Sequence, residues 1–364
     1  MLPHKNHTRA LNFLAKLSIG SALLLLVGAG SIRSQVADDI LYVGDVVNDT
    51  VRRFNAVTGL PIPGGIGVFV AQDDDPNTPG SGGLHGPRGL FTTSEILFVV
   101  NQNVNLNKPG EVLRYLLANG APSGALVSSS DVNAPWAPRG MVSSQGIVYI
   151  ANFLASDAPN LPPGGLLAFD ENTGGFLRKF SPPDKFAYNF HPRGLVIGPN
   201  GLLYVSNFPD LKHGTGGQVL VFDPKTLNFV GAFISDEGGP GQLNRPEGLV
   251  FGPDGNLYIT SFRANPSDTD SIRIYDGKTG VFIGKIDLDQ PNPKVRAFAQ
   301  ALLFGPGGFL FVPISGGGPD TGAVRRYNIS AKTFTNFVPP GGPLGQGWYL
   351  TFGKTDPGTL QYNP

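Results

Sequence analysis

The chain has 364 residues, including 51 Gly, 33 Pro and no Cys, and only 15 % are charged. This excludes long helices and coiled coils, disulfide scaffolds, cysteine zinc sites and thiol nucleophiles. Hydrophobic residues make up 40 %, enough for a core despite a Gly and Pro content that would otherwise suggest disorder. Many short strands joined by tight turns remain, so an all-β fold is expected.

Residues 1–34 read as a secretory signal peptide. His4, Lys5, His7, Arg9 and Lys16 flank or precede an uncharged stretch, residues 17–32, built around Leu23-Leu24-Leu25-Leu26-Val27 and ending near the small residues Ala29, Gly30 and Ser31. The stretch is shorter than the roughly 20 residues of a spanning helix, and an uncleaved N-terminal anchor is the competing reading. No Cys follows it, so a lipoprotein anchor is excluded. Export to the periplasm or the cell exterior is expected, with residues 35–364 as the mature domain and no membrane contact beyond the leader. The leader holds Lys5, Arg9, Lys16 and Arg33 and no acidic residue, which leaves 23 basic against 27 acidic residues in the rest. Basic residues cluster no further than pairs such as Arg52-Arg53 and Arg325-Arg326, so nucleic acid is not an expected partner.

Along the mature chain one unit recurs. It reads GPRGLFTTSEILFVVN from Gly86, APRGMVSSQGIVYIANF from Ala137, HPRGLVIGPNGLLYVSNF from His191, RPEGLVFGPDGNLYITSF from Arg245 and AFAQALLFGPGGFLFVPI from Ala297. The equivalent positions Arg88, Arg139, Arg193, Glu247, Gln300 and Trp348 are spaced 51, 54, 54, 53 and 48 residues apart. Each unit carries four strand signals, with Gly-Pro-Asn-Gly (198–201) and Gly-Pro-Asp-Gly (252–255) as hairpin turns between the first two. A four-stranded antiparallel sheet at this period is a propeller blade. The chain starts its first unit at Ile40-Leu41-Tyr42-Val43, a second strand without a first, and finishes with a first strand, GWYLTFGKTDPGTLQY from Gly347. Joining the two closes a ring of six blades and leaves no open sheet edge.

The pattern Pro-x-Gly-Leu-x-Phe-Gly-Pro-x-Gly-x-Leu-Tyr-Val-x-Asn resembles the NHL-repeat six-bladed propellers, and the closing FGKTDPGTLQY is similar to the tail of bacterial exported NHL proteins. More distantly the chain is similar to the gluconolactonase and senescence-marker propellers and to the streptogramin-lyase propellers. These groups host hydrolases, lyases, calcium binders and interaction domains, so the resemblance implies a fold without one activity. The NHL-type amidating lyases hold zinc on three channel histidines. Here Trp136 and Arg245 stand near the corresponding places of two blades, and that pattern is not supplied.

In a blade of this kind the start of the first strand and the end of the second lie together at one end of the central channel. One ring there comprises Arg88, Arg139, Arg193, Glu247, Gln300 and Trp348; the other comprises Asp45, Asn101, Asn152, Asn207, Ser261 and Ile314. Long loops 151–164, 208–217 and 262–270 open on the same face, which makes it the candidate ligand-binding site. Three forked cations on successive blades suit a carboxylate or another anion. The competing reading is that each Arg-Gly pair seats its blade by bonding a neighbour's backbone carbonyls. The amides either organise nearby backbone or, with Asp45 and Glu247, offer oxygen ligands to calcium, as comparable inner residues do in the gluconolactonase-like group. No other cofactor is expected.

Catalytic candidates are Glu247 as acid with His191 or His85 as base; His213, in a Gly-rich loop, is the remaining histidine. Phe153, Phe208 and Phe262 follow the second ring in three successive blades, with Trp136, Trp348 and Tyr349 near the same rim. They either wall an amphipathic acid ligand or pin the loops. The expected function is a monomeric binding or scaffold module whose partner is a small organic anion or another protein. The alternative is a lactonase- or lyase-like enzyme at the same face, and a third reading is a surface module using the blade sides.

Overall fold

The computed structural model describes residues 39–62, 67–72, 82–153, 164–183, 186, 189–209, 216–235, 241–291, 294–318 and 320–356. The leader stretch 1–34 and His213 lie outside them. Six four-stranded antiparallel sheets form the blades, nearly all strand and turn. Inner strands are buried on both faces because a neighbouring blade covers each side. Runs such as Leu257–Phe262 are therefore buried almost throughout, while the outer strand Phe229–Ile234 is only partly covered.

The ring closes as the complementary ends require. The C-terminal strand Gly347–Phe352 pairs antiparallel with Ile40–Asp45, with Leu41 opposite Phe352 and Val43 opposite Leu350, followed by Thr50–Asn55 and Val68–Val70. Two buried carboxylates clasp this blade at opposite ends. Asp45 accepts from the backbone N–H groups of Gly345 and Gln346, both at 2.9 Å, and from Arg52 Nε at 3.1 Å. Asp39 accepts from the N–H groups of Lys354 at 2.8 Å and Thr355 at 2.9 Å.

The turns follow their local chemistry. Gly255 closes the Gly-Pro-Asp-Gly turn at φ +80°, donating to the Gly252 carbonyl at 2.9 Å. Between third and fourth strands, Asp170, Asp223 and Asp276 each accept from the N–H and hydroxyl of a Thr three residues on. These hydrogen bonds hold the three carboxyls below the usual Asp range.

Aromatic side chains fill the gaps between blades. Phe222 is fully buried, with ring centroids 4.9 Å from Phe180 on the preceding blade and 5.6 Å from both Phe190 and Phe229. Phe222→Ala is expected to cost about 3–5 kcal/mol, read as a lowered urea midpoint; a loss under about 1 kcal/mol would contradict this packing.

The sixth blade departs from the repeat. Its inner strand is only Leu303–Phe304, near the middle of the repeat unit that begins at Ala297. Residues 297–302 contain no β-branched side chain, and their entry is captured by two acids from different loops of the fifth blade. Asp289 accepts from the Ala297 N–H and Asp270 from the Phe298 N–H, both at 3.0 Å. A short hairpin pairing Gln290–Pro291 with Lys294–Val295 precedes them. Among the described residues no helix is long and apolar enough to cross a membrane.

Candidate functional site

The Pro-Arg-Gly element of the inner strand breaks its own ladder. In the fourth blade Pro192 faces Asn207 and Leu195 faces Val205, so Arg193 and Gly194 together stand against Ser206. The same bulge occurs between Pro87 and Leu90, Pro138 and Met141, and Pro246 and Leu249. Such a bulge re-aims the extra side chain, here towards the channel. The Ser206 hydroxyl fills the gap, accepting from the Gly194 N–H at 2.7 Å and donating to the Glu247 carbonyl of the next blade. Thr260 likewise accepts from the Gly248 N–H at 3.0 Å, but donates back to the Gly248 carbonyl at 3.4 Å.

The glycine, not the arginine, seats each blade. A Cβ on Gly194 would lie 2.5 Å from the Glu247 carbonyl oxygen and 3.0 Å from the Gly248 Cα. Gly89, Gly140 and Gly248 meet the backbone of their next blade just as closely. Arg88 Nη1 donates to the carbonyl of Pro87, on its own strand, at 3.0 Å, and the three arginines otherwise meet aromatic rings. Arg88 stacks on Trp348 at 4.0 Å, and Arg139 lies 5.4 Å from Phe153 and 5.9 Å from Trp348. Arg193 lies over both Phe153, at 3.8 Å, and Phe208, at 4.4 Å. Trp348 belongs to the first blade and Arg139 to the third, so the set reaches across the channel.

One carboxylate stands among these cations. Glu247, 1 % exposed, approaches Arg193 Nη1 at 3.7 Å through Oε1. Burial pushes its carboxyl above the ordinary Glu range, against the opposing pull of Arg193, Arg139 and Arg88. Burial and Arg193 lower Arg139 to about 10, and burial and Arg139 hold Arg88 well below the usual guanidinium value. Burial raises the Tyr349 hydroxyl to about 12. Several buried polar atoms of this set have no hydrogen-bond partner: the Nε atoms of Arg88, Arg139 and Arg193, Trp348 Nε1, the Tyr349 hydroxyl and Glu247 Oε2. Among these unpartnered atoms donors outnumber acceptors five to one. Arg139 and Trp348 are partly exposed. Gln300, on the adjoining blade, is buried.

The second ring has the structural role. Asn101 accepts from the His85 N–H at 2.8 Å, Asn152 from the Ala137 N–H at 3.0 Å and Asn207 from the His191 N–H at 2.7 Å. Ser261 accepts from the N–H groups of Asn244 and Arg245, both at 3.3 Å. Each holds the entry of its inner strand, and Asp45 is taken up by the ring closure. Ile314 has no such group, and Ser315 donates to the Phe298 carbonyl instead, at 2.8 Å. Among the described residues no three His, Asp or Glu gather in one place. With the amide oxygens on backbone donors and Glu247 among three guanidinium groups, the residues present do not fit a calcium centre.

The remaining candidates divide. His191 is buried beside Phe153, at 5.6 Å between ring centroids, and so borders the arginine set. His85 pairs with Asp49 at 2.7 Å through Nδ1 and contacts the Val104 carbonyl at 2.8 Å through Nε2. Phe153 and Phe208 clamp Arg193, whereas Phe262 packs on Phe298 beside Arg296, which is ion-paired to Asp270 at 2.6 Å. Trp136 is exposed. Sequence reasoning gave Ser206, Thr260 and Asp39 no part in this architecture. Their small polar side chains carry no signal until the neighbouring backbone is in place. It also left unread a 780 Å³ cavity at the opposite end of the channel, ringed by Leu90, Met141, Leu195, Leu249, Leu303 and Thr351.

No protein-family model and no curated protein sequence matches the chain. Solved structures do. A "putative 6-phosphogluconolactonase" of Bacteroides fragilis is 13 % identical with a TM-score of 0.50, over 87 % of this chain and 98 % of its own. A protein of unknown function from Bacteroides caccae is 11 % identical with a TM-score of 0.52, over 86 % and 98 %. The extracellular domain of a "putative hybrid two component system" of B. thetaiotaomicron is 10 % identical with a TM-score of 0.50, over 82 % of this chain and 31 % of that one. At these identities the likeness is one of fold, and the chain is a six-bladed β-propeller of four-stranded antiparallel blades.

Proposed function

We infer that this is an exported propeller of the NHL-repeat type that binds a small organic anion at the arginine-lined end of its channel. The observation that carries the reading is a buried cluster of Arg88, Arg139 and Arg193 in which Glu247 is the one acid acting on all three and the guanidinium Nε atoms have no partner. Burial without a counter-ion is costly for a cation, and an anionic ligand repays that cost. The leader pattern supports export, and the fold likeness to an extracellular domain agrees with it. Titration calorimetry of the purified protein against mono-, di- and tricarboxylates is expected to find binding. Arg139→Met should weaken that binding roughly 10- to 100-fold, the scale of one lost charge-assisted contact. Binding by no member, or equal binding by the variant, sinks the reading and leaves the blade sides as the interaction surface.

Glu247 supports a second reading, a lactonase- or lyase-like enzyme. A carboxyl held above its ordinary range is a proton donor, and His191 borders the same cluster. Under this reading lactone turnover by the wild type disappears in Glu247→Gln; a wild type without turnover excludes it.

A further inference from the structure

We propose that the ligand of this channel end is a hydroxy-dicarboxylate, whose two carboxylates bind the edges of Arg88, Arg139 and Arg193 while its hydroxyl donates to Glu247 Oε2. The proposal rests on the anion-binding reading above and narrows it to a charge, a shape and one polar group.

Charge comes first. Three guanidinium groups and one carboxylate leave two positive charges in a buried cluster that contains no further acid among the residues acting on it. A monoanion would leave one of these charges uncompensated in a poorly solvated place, and a trianion would overshoot.

Shape follows from the rings. Aromatic faces cover the arginine faces: Trp348 lies on Arg88, and Phe153 and Phe208 both lie on Arg193. A stacked guanidinium keeps its N–H groups in the plane, so an oxyanion must arrive at the edge, as planar carboxylates do in pairs. Trp348 also touches Arg139, and Phe153 touches both Arg139 and Arg193. Rings shared between successive arginines keep the cations from focusing on one point. Two separated carboxylates suit that spread better than one tetrahedral phosphate.

The polar group is set by the single acceptor. Glu247 Oε2 is buried and has no partner, while Oε1 faces Arg193. An unpaired buried carboxylate oxygen asks for a donor, and a ligand hydroxyl supplies it. The Tyr349 hydroxyl and Trp348 Nε1 are also buried without partners and add two donors to the set.

Calorimetry of the full protein with propionate, succinate, malate, tricarballylate and inorganic phosphate tests this. Malate should bind at least tenfold more tightly than succinate, and succinate at least tenfold more tightly than propionate and tricarballylate. Phosphate should bind no better than propionate. Glu247→Gln replaces the carboxylate acceptor by a weaker amide oxygen and raises the cluster to three positive charges. Its malate advantage over succinate should shrink to a few-fold at most, and tricarballylate should become its best ligand. Equal binding of mono- and dicarboxylates, phosphate matching malate, or an unchanged malate preference in Glu247→Gln each overturn the hydroxy-dicarboxylate proposal while leaving an anion site standing. Binding of none of the five overturns both. If Glu247→Gln fails to fold, the wild-type order of the five ligands decides alone.

Discussion

Gly174→Ala is expected to lower stability by roughly 3–5 kcal/mol, among the largest effects a single methyl group can have in this protein. Two costs coincide at this turn of the third blade. Its φ of +72° disfavours any L side chain, and a Cβ would be driven into the Leu126 carbonyl oxygen of the preceding blade. That contact is backbone on backbone, so no side chain can move to relieve it. Gly146, in another turn of the same blade, separates the two terms. Its φ is +77°, but a Cβ there would meet nothing within 4 Å, so Gly146→Ala should cost only the conformational term of about 1–2 kcal/mol. Urea unfolding of both variants makes the comparison, and equal losses would mean that blade docking at Gly174 contributes nothing. Gly59, Gly120 and Gly280 meet carbonyls of Phe337, Phe69 and Phe233 in the same way, so the outer turns dock blade on blade around most of the ring.

The second large effect is expected at the ring closure. Asp45→Ala should cost roughly 3–5 kcal/mol, the scale of removing one partner from a buried charged network. The substitution strands the N–H groups of Gly345 and Gln346 and one nitrogen contact of Arg52, and opens the end at which the C-terminal strand joins the first blade. Asp45→Asn keeps an acceptor for one of these donors and should lose about half as much. Chemical unfolding, with limited proteolysis of the C-terminal strand as a local readout, checks both. A loss below about 1 kcal/mol for the Ala variant would show that strand pairing alone closes the ring. It would also free Asp45 for a role at the channel.

The blade count and the closure were legible in the sequence for a simple reason. Each unit repeats the same local physics: a Pro-Arg-Gly entry, a Gly-Pro-x-Gly turn, β-branched and aromatic strand centres, and an Asp-x-x-Thr or related turn. The incomplete first and last units implied their own pairing, and Leu41 opposite Phe352 fulfils it. The sixth blade keeps its four strands, but its inner one is short because AFAQAL lacks strand composition and Asp270 and Asp289 capture its backbone.

The site was legible in part. Register alone brought the ring containing Arg88, Arg139, Arg193 and Glu247 to one end of the channel. It left open whether the arginines seat their blades, and the bulge gives that seating to Gly194 and its equivalents. Phe153, Phe208 and Phe262 occupy the same place in their units, yet two clamp Arg193 and the third joins Arg296.

The sequence by itself therefore determined the period, the number of blades, the closing strand and the residues that face the axis, because each depends on a repeated segment and its immediate neighbours. Only the tertiary structure decided which of those residues meet, which buried oxygens and nitrogens find partners, and which cations remain uncompensated. Such contacts join different blades across the channel, and their energies depend on burial and on a neighbour's backbone, neither of which is written within one repeat.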